Sequence, residues 1–309
     1  MVKINSVINN ASEIILGLMR INKLNIEEAE HIVLYSYENG VNYYDNADIY
    51  ADGRCEELFG QVLDRHKDIR DKIIVQSKCG IVHNDKGHNV AFDFSYDHII
   101  KSVDTSLLRM KTDYLDVLLL HRPDALMEPC EVARAFDDLE KSGKVRSFGV
   151  SNQNPYQTEL LKTCVKQELK INQVQLSITD CGMIAQGLNT NMSNKPSYVH
   201  DGGIYEYSRL NDITIQAWSP IQYGFFEGVF LNDPKFEELN KTLQKYAEKY
   251  NVEKSAIAFA WILRLPAKTQ VITGSTYVKH LEDLFKAREV KLTREEWYDI
   301  YMSAGHSLP

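Results

Sequence analysis

A chain of 309 residues is about twice the length of a typical domain, so it is either two ordinary domains or one α/β barrel of roughly 250 residues with insertions. Its 35 basic against 43 acidic residues leave a net charge of −8. That argues against a nucleic-acid partner, since affinity for a phosphate backbone comes from clustered Lys and Arg. The composition, 44% hydrophobic and 25% charged, is that of a globular protein able to bury about three quarters of its unfolded surface without disulfides.

The five cysteines, Cys55, Cys79, Cys130, Cys164 and Cys181, include no C-x-x-C. They indicate neither a zinc ribbon nor a disulfide framework, and a reducing cytoplasm fits them best. The first six residues lack the apolar core of a signal peptide, and the longest apolar run, residues 256–263, is well short of the ~18 residues that a membrane span needs. A soluble, cytoplasmic protein with no membrane partner is expected.

In chain order, a first strand at Ile14–Gly17 leads to a helix that opens with Asn25-x-x-Glu28 as a capping box. This helix carries Ala29, Ile32 and Val33 on one face and stops at Gly40. A strand at 41–44, a helix at 55–65 and a strand at 72–76 follow. His83 and His88 then flank Asp85 and Lys86 in a polar loop. Nothing in that loop fixes ligand geometry, so no metal is expected.

Next come a helix at 96–110, a strand at 115–120, a helix at 131–142 stopped by Gly143, a strand at 147–150, a helix at 156–167 and a strand at 173–176. The polar stretch 179–203 precedes a helix at 203–210 and a strand at 214–217. A helix at 236–250 continues into 255–263, ahead of a strand at 270–272. A capped helix from Thr293 brings Trp297, Ile300 and Tyr301 against the body.

Strands such as Val117-Leu118-Leu119-Leu120 are apolar throughout, as a parallel sheet covered on both faces requires. Eight strand-helix units with no break in composition predict one domain over residues 1–309, an α/β fold closed as a (β/α)8 TIM barrel. Residues 179–203, too long for an ordinary connection, are expected to overhang the C-terminal mouth as a substrate loop or lid.

Catalytic groups in such a barrel come from the C-terminal ends of strands, and four polar residues stand there: Asp45, Tyr50, Lys78 and His121. Singly, each has an ordinary structural role: a loop Tyr packs, a Lys after a strand is solvated, and Asp45 or His121 caps a turn. Jointly they suggest proton transfer. A phenol titrates near ~10, so an ammonium from Lys78, held by Asp45, is expected to lower the Tyr50 pKa, while His121 donates to or orients a carbonyl oxygen.

The stretch Val41-Asn42-Tyr43-Tyr44-Asp45-Asn46-Ala47-Asp48-Ile49-Tyr50 resembles the aldo-keto reductase signature. Ile74-Val75-Gln76-Ser77-Lys78 resembles that family's lysine strand, and residues 107–116 through His121 are similar to its segment before the active-site histidine. The resemblance runs from about Ile14 to the C-terminus, and the chain resembles a bacterial branch of generic oxidoreductases with a short C-terminal tail.

It implies NADPH, with NADH possible, lying extended across the barrel mouth; no G-x-G-x-x-G occurs, so a Rossmann site is not available. By this resemblance Ser151, Asn152 and Gln173 hydrogen-bond the carboxamide, Trp218 lies flat on the nicotinamide, and Ser219, Pro220 and Ile221 line the pyrophosphate. Gly17, Leu18 and Met19 flank the nicotinamide, with Met19 walling the substrate pocket. Gly274, Ser275 and Thr276 grip the adenosine 2′-phosphate, with Asp283 near the adenine. His280 stands where the family commonly has Arg, a weaker anion partner.

The implied activity is reduction of a small aldehyde or ketone by a monomer or weak homo-oligomer. Two alternatives stay open: a cofactor-binding redox sensor or accessory subunit with slow turnover, and a Schiff-base lyase using Lys78.

Overall fold

Eight parallel strands close on themselves: β1 (Ile14–Gly17), β2 (Tyr43–Asp45), β3 (Ile74–Cys79), β4 (Val117–Leu120), β5 (Phe148–Ser151), β6 (Leu169–Gln175), β7 (Thr214–Trp218) and β8 (Thr269–Thr273). Each pairs with its sequence neighbours, and β1 pairs with both β2 and β8, so the sheet has no edge. The fold is the expected (β/α)8 barrel. It is seen in a computed structural model that describes residues 1–84 and 87–309. Asp85 and Lys86, the pair between the two loop histidines, lie outside the described residues.

The outer helices are α1 (Ile26–Glu38), α2 (Arg54–Arg65), α3 (Tyr96–Met110), α4 (Pro129–Lys141), α5 (Pro155–Lys162), α6 (Gly182–Leu188), α7 (Ile204–Leu210), α8 (Glu237–Tyr250), α9 (Lys254–Leu263), α10 (Val278–Phe285) and α11 (Arg294–Ser303). Local chemistry sets their ends. The Asn25 side chain accepts from the Glu28 amide and the Glu28 carboxylate accepts from the Asn25 amide, both at 2.9 Å, so two orphan donors of α1 are satisfied. Ala29, Ile32 and Val33 are buried on its inner face.

Where the sequence suggests one continuous helical run from 236 to 263, α8 ends at Asn251, whose φ of 53° is left-handed, and α9 starts afresh at Lys254. α10 has no counterpart among the expected elements. β6 starts four residues before the expected strand. Trp297, Ile300 and Tyr301 are buried, with the Trp297 ring stacked 4.6 Å from Trp261.

One expectation is overturned outright: Cys130 and Cys164 form a disulfide with their Cα atoms 5.1 Å apart, while Cys55, Cys79 and Cys181 are free and buried. Cys130 lies in the first turn of α4 and Cys164 just beyond α5. Neighbouring helices of the ring thus bring together residues 34 apart in sequence, which spacing alone does not show. The pairing removes the cysteine argument for a reducing compartment. No helix among the described residues is long and apolar enough to cross a membrane.

The N-terminal segment plugs one end of the barrel. Val2 bridges Ala11, and Ile4 and Ile8 are buried with Tyr43, Val117, Leu119 and Ile171. Asn5 Nδ2 donates to Ser147 Oγ at 3.2 Å, next to the start of β5, so the plug sits at the N-terminal end and leaves the other mouth open. Above this apolar layer the interior becomes polar. Gln270 Nε2 donates to Ser12 O, Gln216 Nε2 to Gln270 Oε1, and Gln76 and Gln173 Nε2 to Gln216 Oε1, all within 3.1 Å. Buried amides are costly unless bonded; here they form one chain that ends at Asp45.

Candidate active site

Asp45 is the last residue of β2 and Lys78 lies near the end of β3, so adjacent strands present both at the open mouth. The Lys78 side chain is fully buried. Its Nζ lies 2.8 and 2.9 Å from the Asp45 oxygens, and it donates to Asn46 O at 2.7 Å and Tyr50 Oη at 3.0 Å. The ammonium's three donors therefore have three partner residues. Asp45 Oδ1 also accepts from Gln76 Nε2 at 2.5 Å and Gln173 Nε2 at 3.0 Å. Burial works against the Lys78 charge, but Asp45 and Tyr50 more than offset it and hold its pKa above the ordinary value. A nucleophilic amine must be neutral and reachable, so this environment works against a Schiff-base role.

Tyr50 begins a tight turn in which Ala51 and Asp52 have φ of 52° and 57° and Gly53 has φ of 90°. Arg109 from α3 braces it: Nη1 donates to Asp48 O at 3.0 Å and reaches Glu56 Oε2 at 3.3 Å. A side chain on Gly53 would strike the Arg109 guanidinium, so glycine is required there for both φ and space. Against the sequence expectation, the Tyr50 pKa is raised, not lowered. Burial of the phenol is the largest influence; Lys78 pulls down, and Asp45 opposes Lys78. Tyr50 is thus a protonated donor at neutral pH, with an ammonium already placed to stabilise the phenolate it would leave.

His121 follows β4, its amide donating to Cys79 O at 2.9 Å. Its ring stands edge-on to Tyr50, with centroids 5.9 Å apart. Burial first, then the charges of Lys78 and Arg122, hold its pKa well below the ordinary value, so the imidazole is neutral and carries one N–H donor.

A cavity of about 960 Å³ opens over these groups. Asp45, Tyr50 and His121 line it, whereas Lys78 lies beneath. Gly17, Met19, Ser151, Asn152, Gln173 and Trp218 line its inner part. Ser219, Pro220, Ile221, Gly274, Ser275, Thr276, His280 and Asp283 continue along it toward the N-terminus of α10. Leu18 departs from this set: it is 2% exposed, packs in the outer core, and does not face the cavity.

Two further residues play parts the sequence did not show. The Gln173 amide donates inward to Asp45 and Gln216. Asn152 is also held internally, donating to Ser151 Oγ at 2.7 Å and accepting from Trp218 Nε1 at 3.1 Å.

Residues 179–203 do not line the cavity at all. Met183 and Ile184 of α6 pack with Ile178, Cys181 and Tyr205 instead, so the expected overhang is absent. The loop after β7 takes that place. It forms a small hairpin, Gln222–Tyr223 with Gly228–Val229, tied down by Gln175 Nε2 to Gly224 O and Ser177 Oγ to Gln222 O, both at 2.7 Å. Phe226 at its tip stacks on Trp218 with centroids 5.9 Å apart, and Phe225 meets Trp218 edge-on. Ile49, Arg122, Phe225 and Phe226 are cavity residues that sequence reasoning did not assign. For Arg122 a signal was present, since it directly follows His121 at a strand end.

The donor set fits an extended nicotinamide dinucleotide. It combines an aromatic plane at Trp218, hydroxyls at Ser219, Ser275 and Thr276, and the Arg20 guanidinium. A side chain on Gly274 would come within 3.0 Å of Arg20 Nη1, so glycine keeps that approach open. Among the described residues, no group of three or more His, Cys, Asp or Glu is arranged to hold a metal ion.

The family model described as "Aldo/keto reductase family" matches residues 13–302. The chain is 34% identical over 305 residues to Oxidoreductase YdhF of Escherichia coli (strain K12), covering 96% of this chain and 95% of that protein. It is 33% identical over 270 residues to a 6-dehydroglucose reductase of Agrobacterium fabrum, covering 86% and 84%. The crystal structure of the thermostable aldo-keto reductase Tm1743 superposes with a TM-score of 0.75 at 23% identity, covering 94% of this chain and 95% of that one, which supports the fold.

Proposed function

Since the chain belongs to the aldo/keto reductase family, we propose that it is an NADPH-dependent oxidoreductase that reduces aldehydes or ketones to alcohols with Tyr50 as general acid. The observation that carries this reading is the buried ammonium of Lys78, 2.8 Å from Asp45 and 3.0 Å from the Tyr50 hydroxyl, under a long cavity.

Trp218, Ser151, Asn152, Gly17 and Met19 would hold the nicotinamide, Ser219, Pro220 and Ile221 the pyrophosphate, and Gly274, Ser275, Thr276, His280 and Asp283 the adenosine end. When bound, the reduced nicotinamide supplies the reducing equivalent to the carbonyl carbon. Tyr50 gives its proton to the oxygen as negative charge gathers there. The Lys78 ammonium stabilises the resulting phenolate, and Asp45, steadied by Gln76 and Gln173, keeps that ammonium in place. The neutral His121 donates a hydrogen bond to the same oxygen. Because these donors are fixed before reaction, they stabilise developing charge without reorganising.

Titration of the purified protein with NADPH and with NADH, followed by a panel of aldehydes and ketones, tests the reading. Tighter binding of NADPH and repeated turnover support it. Failure to bind either nucleotide overturns it, and a single slow turnover with retained NADP⁺ points to a redox-sensing role instead.

A further inference from the structure

We propose that Arg122 is the receptor for an anionic group on the substrate, so that the preferred substrates are aldehydes or ketones bearing a carboxylate or phosphate. The proposal rests on the carbonyl-reductase reading above and narrows its substrate class.

Arg122 directly follows His121, and its half-buried side chain lines the same cavity as Tyr50 and His121. The guanidinium carbon stands 5.6 Å from the Trp218 ring centroid and 5.7 Å from that of Phe225. An aromatic wall therefore holds it at the mouth. Among the described residues it has no carboxylate within 4.0 Å, and it donates no hydrogen bond to the protein. Some buried or half-buried arginines are neutralised, Arg70 and Arg146 by Asp116 and Arg109 by Glu56, and Arg122 is not among them.

The other cations around the cavity are placed differently. Lys78 is neutralised by Asp45, Lys254 donates to the Asn232 and Asn240 side-chain oxygens, and Arg20 lies beside Gly274 on the cofactor side. Burial disfavours the Arg122 charge, and no carboxylate contributes to its pKa, which is lowered. A guanidinium offers five N–H donors in a planar fork that matches carboxylate and phosphate oxygens. Next to the reacting groups, in a partly desolvated wall, an anion on the substrate is the partner that this geometry lacks.

The alternative is that Arg122 only packs the aromatic loop. Matched pairs separate the two: 4-oxobutanoate against butanal for carboxylate, and glyceraldehyde 3-phosphate against glyceraldehyde for phosphate. Each is measured with NADPH on the parent, Arg122→Gln and Arg122→Lys. Selectivity within a pair is the readout, so a general loss of activity cancels. The parent is expected to favour the anionic member of at least one pair by tenfold or more in kcat/KM. Arg122→Gln should reduce that selectivity at least tenfold, mainly through KM, and Arg122→Lys should restore part of it.

No preference in the parent for either anion, or equal loss on both members of each pair in Arg122→Gln, would overturn the proposal. A second measurement does not need turnover: succinate and inorganic phosphate titrated against the NADP⁺-loaded protein, read by tryptophan fluorescence. Saturable binding lost in Arg122→Gln supports the site, and binding unchanged in that variant contradicts it. A protein that binds succinate through Arg122 yet reduces no carbonyl would overturn the reductase reading while supporting the anion site.

Discussion

Replacing Lys78 by Met tests the buried pair that organises the site. Methionine fills much of the space of the lysine stem but leaves Asp45, 3% exposed, without its cation. Removing one partner of a buried ion pair costs ~3–5 kcal/mol, because a buried charge is left uncompensated. Gln76 and Gln173 still donate to Asp45, which softens the loss, while the Asn46 carbonyl and Tyr50 hydroxyl lose a donor.

A stranded carboxylate can also escape by binding a proton. For a carboxylic acid of ordinary pKa ~3.9, protonation costs about 4 kcal/mol at pH 7 and about 1.5 kcal/mol at pH 5. The predicted destabilisation is therefore about 3–4 kcal/mol at pH 7, shrinking to about 1–2 kcal/mol at pH 5. Asp45→Asn combined with Lys78→Met removes both charges and should cost at least ~2 kcal/mol less than the sum of the single changes. Urea unfolding of the four proteins at both pH values, with m unchanged, measures this. Additive single effects with no pH dependence would refute the account of the pair.

The raised Tyr50 pKa keeps the acid protonated, so carbonyl reduction should be flat between about pH 6 and 9, whereas alcohol oxidation, which needs the phenolate, should rise with pH; initial rates in both directions check this. Burial, reinforced by the charge of Glu56, pushes the Asp48 carboxyl up to about 7. An unfolded aspartate ionises near ~3.9, so between about pH 4 and 7 this carboxyl keeps a proton in the folded chain that it has lost in the unfolded one, and its contribution to stability falls as pH rises through that window. Asp48→Asn should remove this decline and stabilise the protein at pH 8 by on the order of 1–3 kcal/mol, read from urea midpoints; a variant with the parent's pH slope would exonerate the carboxyl. His280→Arg should tighten NADPH about five- to twentyfold, the gain of a permanent charge, and leave NADH unchanged by fluorescence titration.

The barrel was legible because strands such as Val117–Leu120, buried on both faces, carry no alternation, and because caps such as Asn25 and Thr293 form as their sequences suggest. Strand ends were legible as well, so Asp45, Tyr50, Lys78 and His121 come together where strand-end logic places them. Three-dimensional competition between effects was not legible. The sign of the Tyr50 shift turns on burial against Lys78, and composition carries no measure of burial at a loop residue. Loop direction was also hidden: polarity marks 179–203 as a connection, but whether it folds over the mouth depends on the packing of Met183 and Ile184 outside the barrel. Two-residue alternation could have suggested that Gln173 shares the interior with Ile171, yet its partners Gln76 and Gln216 sit on other strands.

The central claim is that Tyr50, backed by Lys78 and Asp45, is the proton donor. Tyr50→Phe removes the hydroxyl alone, and general acid catalysis contributes ~10²–10⁴-fold. Single-turnover reduction of an aldehyde by the NADPH-loaded variant should slow by that factor, with NADPH affinity within a few-fold of the parent. Reduction at the parental rate would contradict the claim.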